Sequence, residues 1–110
     1  MKKVVSLLML AVLTLSLMGC TVAKEDVVGT WAGTWEYNGN SFAKAFVLSE
    51  DNTYEAVFYK NGDFHEAETG IYEIDGRTVT LYPNGDKDMG TPYDYENGNL
   101  VNADHAFTKE

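Results

Sequence analysis

Tyr54-Glu55-Ala56-Val57-Phe58-Tyr59-Lys60-Asn61-Gly62 is the stretch on which the fold turns. Successive side chains of a strand point to opposite faces, so Tyr54, Ala56 and Phe58 share one face and Glu55, Val57 and Tyr59 the other. The Asn61-Gly62 pair behind them supplies two residues that tolerate positive φ. It is therefore a hairpin signal of the type I′ kind, which sends the chain straight back beside itself. Working outward, the same grammar repeats. A strand over 64–74 carries Tyr72 and Ile74 on one face and turns at Asp75-Gly76, a second signal of that kind; the next, over 78–82, carries Val79 and Leu81 and stops at Pro83-Asn84-Gly85. In the other direction, a strand over 42–48 with Phe46 and Leu48 on one face turns at Glu50-Asp51-Asn52. Before it, a strand over 30–37 puts Trp31, Gly33, Trp35 and Tyr37 together and ends at Asn38-Gly39-Asn40. Strands over 91–95 and 100–107, separated by Asn97-Gly98, bring the reading to seven.

Short loops between successive strands make sequence neighbours antiparallel neighbours in space. The expectation is an all-β domain, a small antiparallel up-and-down meander of about seven strands. One apolar face per strand suits a sheet curled around a single core. A closed barrel would remove the exposed edges; a partly open barrel and a two-sheet sandwich stay open as alternatives.

The N-terminal part reads differently. Met1-Lys2-Lys3 is a short positive start, and residues 4–17 are uncharged and apolar apart from Ser6, Thr14 and Ser16. That run is shorter than the roughly 20 residues a membrane-spanning helix needs and has the length and flanks of a secretory leader. It ends in Leu17-Met18-Gly19-Cys20, and Cys20 is the single cysteine of the chain. This tetrapeptide resembles the lipobox of bacterial lipoproteins. The resemblance implies a signal peptide over 1–19, cleavage before Cys20 and lipid on its thiol. It implies a location in the cell envelope, lipid-anchored on the extracytoplasmic side of a membrane. The expected division is 1–19 signal peptide, 20–26 lipidated cysteine and tether, and 27–110 folded domain. Without Lys2 and Lys3, six of the eight basic residues remain against 17 acidic ones, a net charge of −11. Such a balance speaks against nucleic acid as a partner, because phosphate backbones are held by clustered Lys and Arg.

Three stretches carry a second resemblance. Val28-Gly29-Thr30-Trp31 matches the Gly-x-Trp opening of lipocalins and other calycin barrels. The segments 46–54 and 70–81 repeat the strand, tight turn and strand of small lipocalin-like domains in envelope lipoproteins. The likeness implies a barrel whose mouth takes a ligand. There are departures: the Arg that packs on the Gly-x-Trp tryptophan late in such barrels has only Lys109 in its place, and Arg77 is the sole arginine. The Cys-x-x-Cys of the copper-resistance type is absent, so thiolate metal binding is not carried over.

Candidate ligand-binding residues are Trp35, Tyr37, Tyr54, Phe58 and Tyr72, which either line a pocket for a small apolar molecule or fill the core. Trp31 reads as a barrel-closing residue. Asn84, Asp86 and Asp88 have the alternate spacing of a calcium loop, but Met89 and Tyr95 stand where that loop needs Gly and Glu. His65 and His105 lie on different strands, Ser41 and Ser49 lack the setting of a nucleophile, and Glu66 and Glu68 read as a solvated pair. No catalytic residue, metal ligand or cofactor is expected. The expected partners are the membrane, through lipid on Cys20, and a small apolar ligand or an envelope protein. The expected function is ligand binding, with a non-enzymatic interaction or structural role as the alternative.

Overall fold

The computed structural model describes residues 21–103 and 105–110; the expected leader and Cys20 lie outside them. Eight strands follow one another: β1 Gly29–Tyr37, β2 Asn40–Leu48, β3 Thr53–Lys60, β4 Asp63–Asp75, β5 Thr78–Pro83, β6 Thr91–Glu96, β7 Asn99–Asn102 and β8 His105–Lys109. Each pairs antiparallel with the next and β8 returns to β1, closing a barrel. The closure rests on Trp31 opposite Lys109 and Ala32 opposite Thr108, extended by the Glu110 N–H donating to the Thr30 carbonyl at 2.8 Å. The antiparallel meander is as expected, and this seam decides against both the sandwich and the open barrel.

The count is eight because the last strand expected, 100–107, is two. Leu100 faces Phe107 and Asn102 faces His105 across a turn in which Ala103 takes φ 54°. No Gly or Asn occupies that position to announce it. Elsewhere the turns carry their signatures. Asn38-Gly39, Asn61-Gly62 and Asn97-Gly98 all have both φ values positive, between 52° and 86°, as the I′ turn demands. The Asp75-Gly76 turn differs from expectation. Asp75 pairs with Thr78, so the linking residues are Gly76 and Arg77. Of these only Gly76 has positive φ, 65°, which is the II′ pattern.

The barrel is lopsided. β1 and β2 pair along all nine of their residues, and β4 runs on from Asp63, but β5 reaches only from Gly70 downward on it. The ladders β6–β7 and β7–β8 have three rungs each. The first four strands therefore stand as a tall wall above a short-walled second half. At one end the chain seals the barrel. Lys24–Val27 form a single helical turn, α1; Val27 at its end and Val22 before it lie in the core. The Trp31 indole N–H donates to the Val27 carbonyl at 2.8 Å. Lys109 reaches the carbonyls of Asp26 at 3.2 Å and Glu25 at 3.4 Å with its ammonium 5.9 Å from the Trp31 ring. Within the stretch expected to be a tether, 20–26, Val22 is buried in the core and its N–H is held by the Gly76 carbonyl at 2.8 Å.

Candidate functional site

The inward face of β2 runs Phe42, Lys44, Phe46, Leu48, since each pairs with an inward partner on β3 or β1. Phe46 and Leu48 are buried core residues. Lys44 sits among them, 9% exposed, and is the one buried charged side chain among the described residues. Its ammonium donates to the Tyr93 hydroxyl at 2.6 Å. It lies 4.8 Å from the Phe58 ring centroid, 5.3 Å from that of Tyr93 and 5.6 Å from that of Phe46. Three ring faces around an ammonium replace part of its lost hydration by attraction to their negative π-faces. Burial nevertheless pulls the Lys44 pKa below the usual 10.5, and the field of the Glu68 carboxylate opposes that shift.

Glu68 follows from the parity of β4. Glu66, Glu68, Gly70, Tyr72 and Ile74 alternate onto one side, and Ala56 opposes Glu68 while Tyr54 opposes Gly70. The reading of Glu66 and Glu68 as a solvated pair is corrected for Glu68: it is half-buried and accepts the Tyr54 hydroxyl proton at 2.5 Å. Gly70 makes room for this. A Cβ there would stand 2.0 Å from the Tyr82 carbonyl oxygen and 2.8 Å from the Tyr54 ring. Burial, then Glu68, raises the pKa of the Tyr54 hydroxyl, and the same two causes raise that of Tyr93. Lys44, Tyr93, Tyr54 and Glu68 thus form a polar layer across the barrel, above an apolar lower core.

Over this layer the tall wall leaves an open mouth. Trp35 stacks on Phe42 with ring centroids 5.8 Å apart, lies 4.4 Å from the His105 ring and meets Phe107 edge-on at 6.4 Å. A cleft of ≈ 550 Å³ opens here, lined by Trp35, Glu36, Tyr37, Phe42 and His105. A hollow of ≈ 420 Å³ lies along the same hairpin, lined by Trp35, Glu36 and Phe42 together with Thr34, Ser41, Ala43 and Tyr59. Thr34, Ser41, Ala43 and Tyr59 are at positions that point away from the barrel. A polar gap of ≈ 340 Å³ between Glu66, Glu68, Thr69 and Asn84 marks where β5 parts from β4. The mouth cleft is lined by rings of the adjacent strands β1, β2 and β8 and shares Trp35, Glu36 and Phe42 with the hollow beside it, so this end of the barrel is the candidate site.

Of the five residues singled out in the sequence, Trp35 lines the mouth, and Phe58 and Tyr54 belong to the polar layer below it. Tyr37 stands at the rim, 66% exposed. Tyr72 lies towards the sealed end, buried, its hydroxyl donating to the Ser49 carbonyl at 2.6 Å. Phe42, Lys44, Glu68, Tyr93 and His105 were not singled out as site residues. A signal for Lys44 existed, since it occupies a position of apolar parity between Phe42 and Phe46. His105 gave none, because its approach to Trp35 depends on the barrel closing. Among the described residues no three His, Cys, Asp or Glu side chains gather as metal ligands. Asp86 instead caps the 3-10 turn Lys87–Met89 by accepting the Asp88 N–H at 3.0 Å.

The class defined by these features is a closed, eight-stranded antiparallel up-and-down barrel, sealed at one end by a helical turn and open at the other over an aromatic mouth. No family model matches the chain, and neither a curated protein nor a solved structure matches it.

Proposed function

We propose that this chain is an envelope lipoprotein, cut before Cys20 and held by lipid on that residue, whose lipocalin-like barrel binds a small apolar ligand at its open end. The observation that carries the ligand reading is the mouth: Trp35, Phe42 and His105 offer flat apolar faces around a cleft of ≈ 550 Å³, within the size range of small-molecule sites. The lipocalin likeness is supported at the opposite end. Trp31 of the Gly-x-Trp stretch seals the barrel, and Lys109 of the last strand lies against it where such barrels carry an arginine. The lipid anchor is supported by the leader and the position of Cys20.

Native mass spectrometry of residues 21–110 recovered from the host envelope tests the ligand. An added mass that leaves on unfolding is the expected result, and Trp35→Ala should abolish it while far-ultraviolet circular dichroism stays that of a β-barrel. A bare mass, repeated after exposure to host lipid and metabolite extracts, rejects the small ligand. The second reading, a protein-interaction module, has its own observation: Tyr59 and Phe64 pair edge-on at 6.3 Å on the outer face of β3 and β4, with Phe64 63% exposed.

A further inference from the structure

We infer that the sealed end of the barrel is its membrane-facing surface, so that the mouth opens away from the bilayer holding the anchor and exchanges its ligand with the aqueous phase or a protein. The inference rests on the proposed lipidation of Cys20. Its structural part is the position of Val22, whose side chain is buried in the core and whose N–H is bonded to the Gly76 carbonyl at 2.8 Å. Gly76 belongs to the β4–β5 turn, at the end where α1, Trp31 and Lys109 close the barrel. Two residues of extended chain span at most about 7 Å, so a lipid on Cys20 is attached within that distance of Val22. A tether of that length cannot carry the lipid around to the other end. β1 runs nine residues from the sealed end to the rim. At about 3.3 Å per residue and the usual tilt of barrel strands, the rim stands on the order of 20 Å away.

Charge agrees with an upright stance. Around the sealed end Glu25, Asp26, Glu50, Asp51, Asp75 and Glu96 are exposed and outnumber Lys24, Arg77 and Lys109 there, so the end as a whole opposes burial in an anionic headgroup layer. The domain is then held against the surface by the brevity of its link and kept from sinking by repulsion. A ligand leaving the anchoring bilayer would have to cross the height of the barrel through water to reach Trp35.

The test uses the full-length lipoprotein, processed in its host and reconstituted in vesicles carrying a headgroup-attached nitroxide quencher. Fluorophores are attached in separate variants at Glu96→Cys, beside the sealed end, and Lys60→Cys, on the rim; both positions are exposed. The sealed-end label should lose most of its emission and the rim label almost none. Inserting ten Gly and Ser residues between Thr21 and Val22 should restore most of the sealed-end emission. Equal quenching at both positions, or stronger quenching at the rim, in a chain whose intact mass shows the acyl groups overturns the orientation and leaves the lipidation standing. An intact mass without acyl groups, together with loss of vesicle binding, overturns the lipidation and the orientation with it.

Discussion

At the scale of single residues, the interior of this barrel turns on a buried lysine and a glycine. Lys44 keeps a buried ammonium because Tyr93 accepts one of its hydrogens at 2.6 Å and three rings surround it. A buried donor that loses its acceptor costs about 1–3 kcal/mol. Tyr93→Phe should therefore lower stability by about that amount in urea denaturation, whereas Tyr59→Phe, on the outer face, should stay within about 0.5 kcal/mol. Gly70 is the second residue whose identity is compulsory. Its missing Cβ is the space into which the Tyr82 carbonyl and the Tyr54 ring press. Gly70→Ala should cost about 2–4 kcal/mol, more than ordinary overpacking, because a backbone oxygen at 2.0 Å cannot rotate away as a side chain can.

At the scale of elements, turn chemistry set the order of the strands. Asn38-Gly39, Asn61-Gly62 and Asn97-Gly98 each close a hairpin with both φ values positive. One turn was invisible. Ala103 adopts φ 54°, a conformation that costs an L-residue about 1–2 kcal/mol and that glycine adopts freely. Ala103→Gly should therefore raise stability by about 1 kcal/mol after the extra unfolded-state entropy of glycine is counted. In a domain of this size that is a rise of roughly 5 °C in Tm by calorimetry. The same turn explains why seven strands were read instead of eight: 100–107 holds no Gly or Pro, and the residue that takes positive φ is an alanine.

For the whole molecule, alkaline pH should weaken the barrel. Tyr54, Tyr72 and Tyr93 all have pKa values raised above 10.0, in each case chiefly by burial. A group whose folded pKa is raised contributes stability that is complete below its unfolded value and is lost as pH climbs past it. Lys44 acts with the opposite sign: its folded pKa is depressed, so the cost of its buried charge is fully present below that folded pKa and fades as pH rises to 10.5. Above pH 10 three tyrosines outweigh one lysine. Titration followed at the tyrosinate absorbance should show these three of the seven tyrosines ionising only together with loss of near-ultraviolet circular dichroism. Smooth ionisation of all seven in a folded barrel would contradict the burial of these three side chains.

The strand grammar, the antiparallel order and the inward identity of Trp31, Phe46, Tyr54 and Leu81 were legible in the chain, because alternation and turn residues are local properties that neighbouring positions settle between themselves. Part of the candidate site was legible on the same ground: Trp35 and Phe58 lie where parity put them. The rest was decided by closure. Only the β8–β1 seam brings His105 against Trp35 and Lys109 against Trp31. Only the curl of β2, β3, β4 and β6 into one interior brings a lysine on an apolar face and a glutamate read as solvated into a shared polar layer with Tyr93 and Tyr54. Those contacts join residues as far apart in the chain as Trp31 and Lys109. No local pattern encodes them, because a charged side chain on an apolar face is stable only once a distant strand supplies its partner.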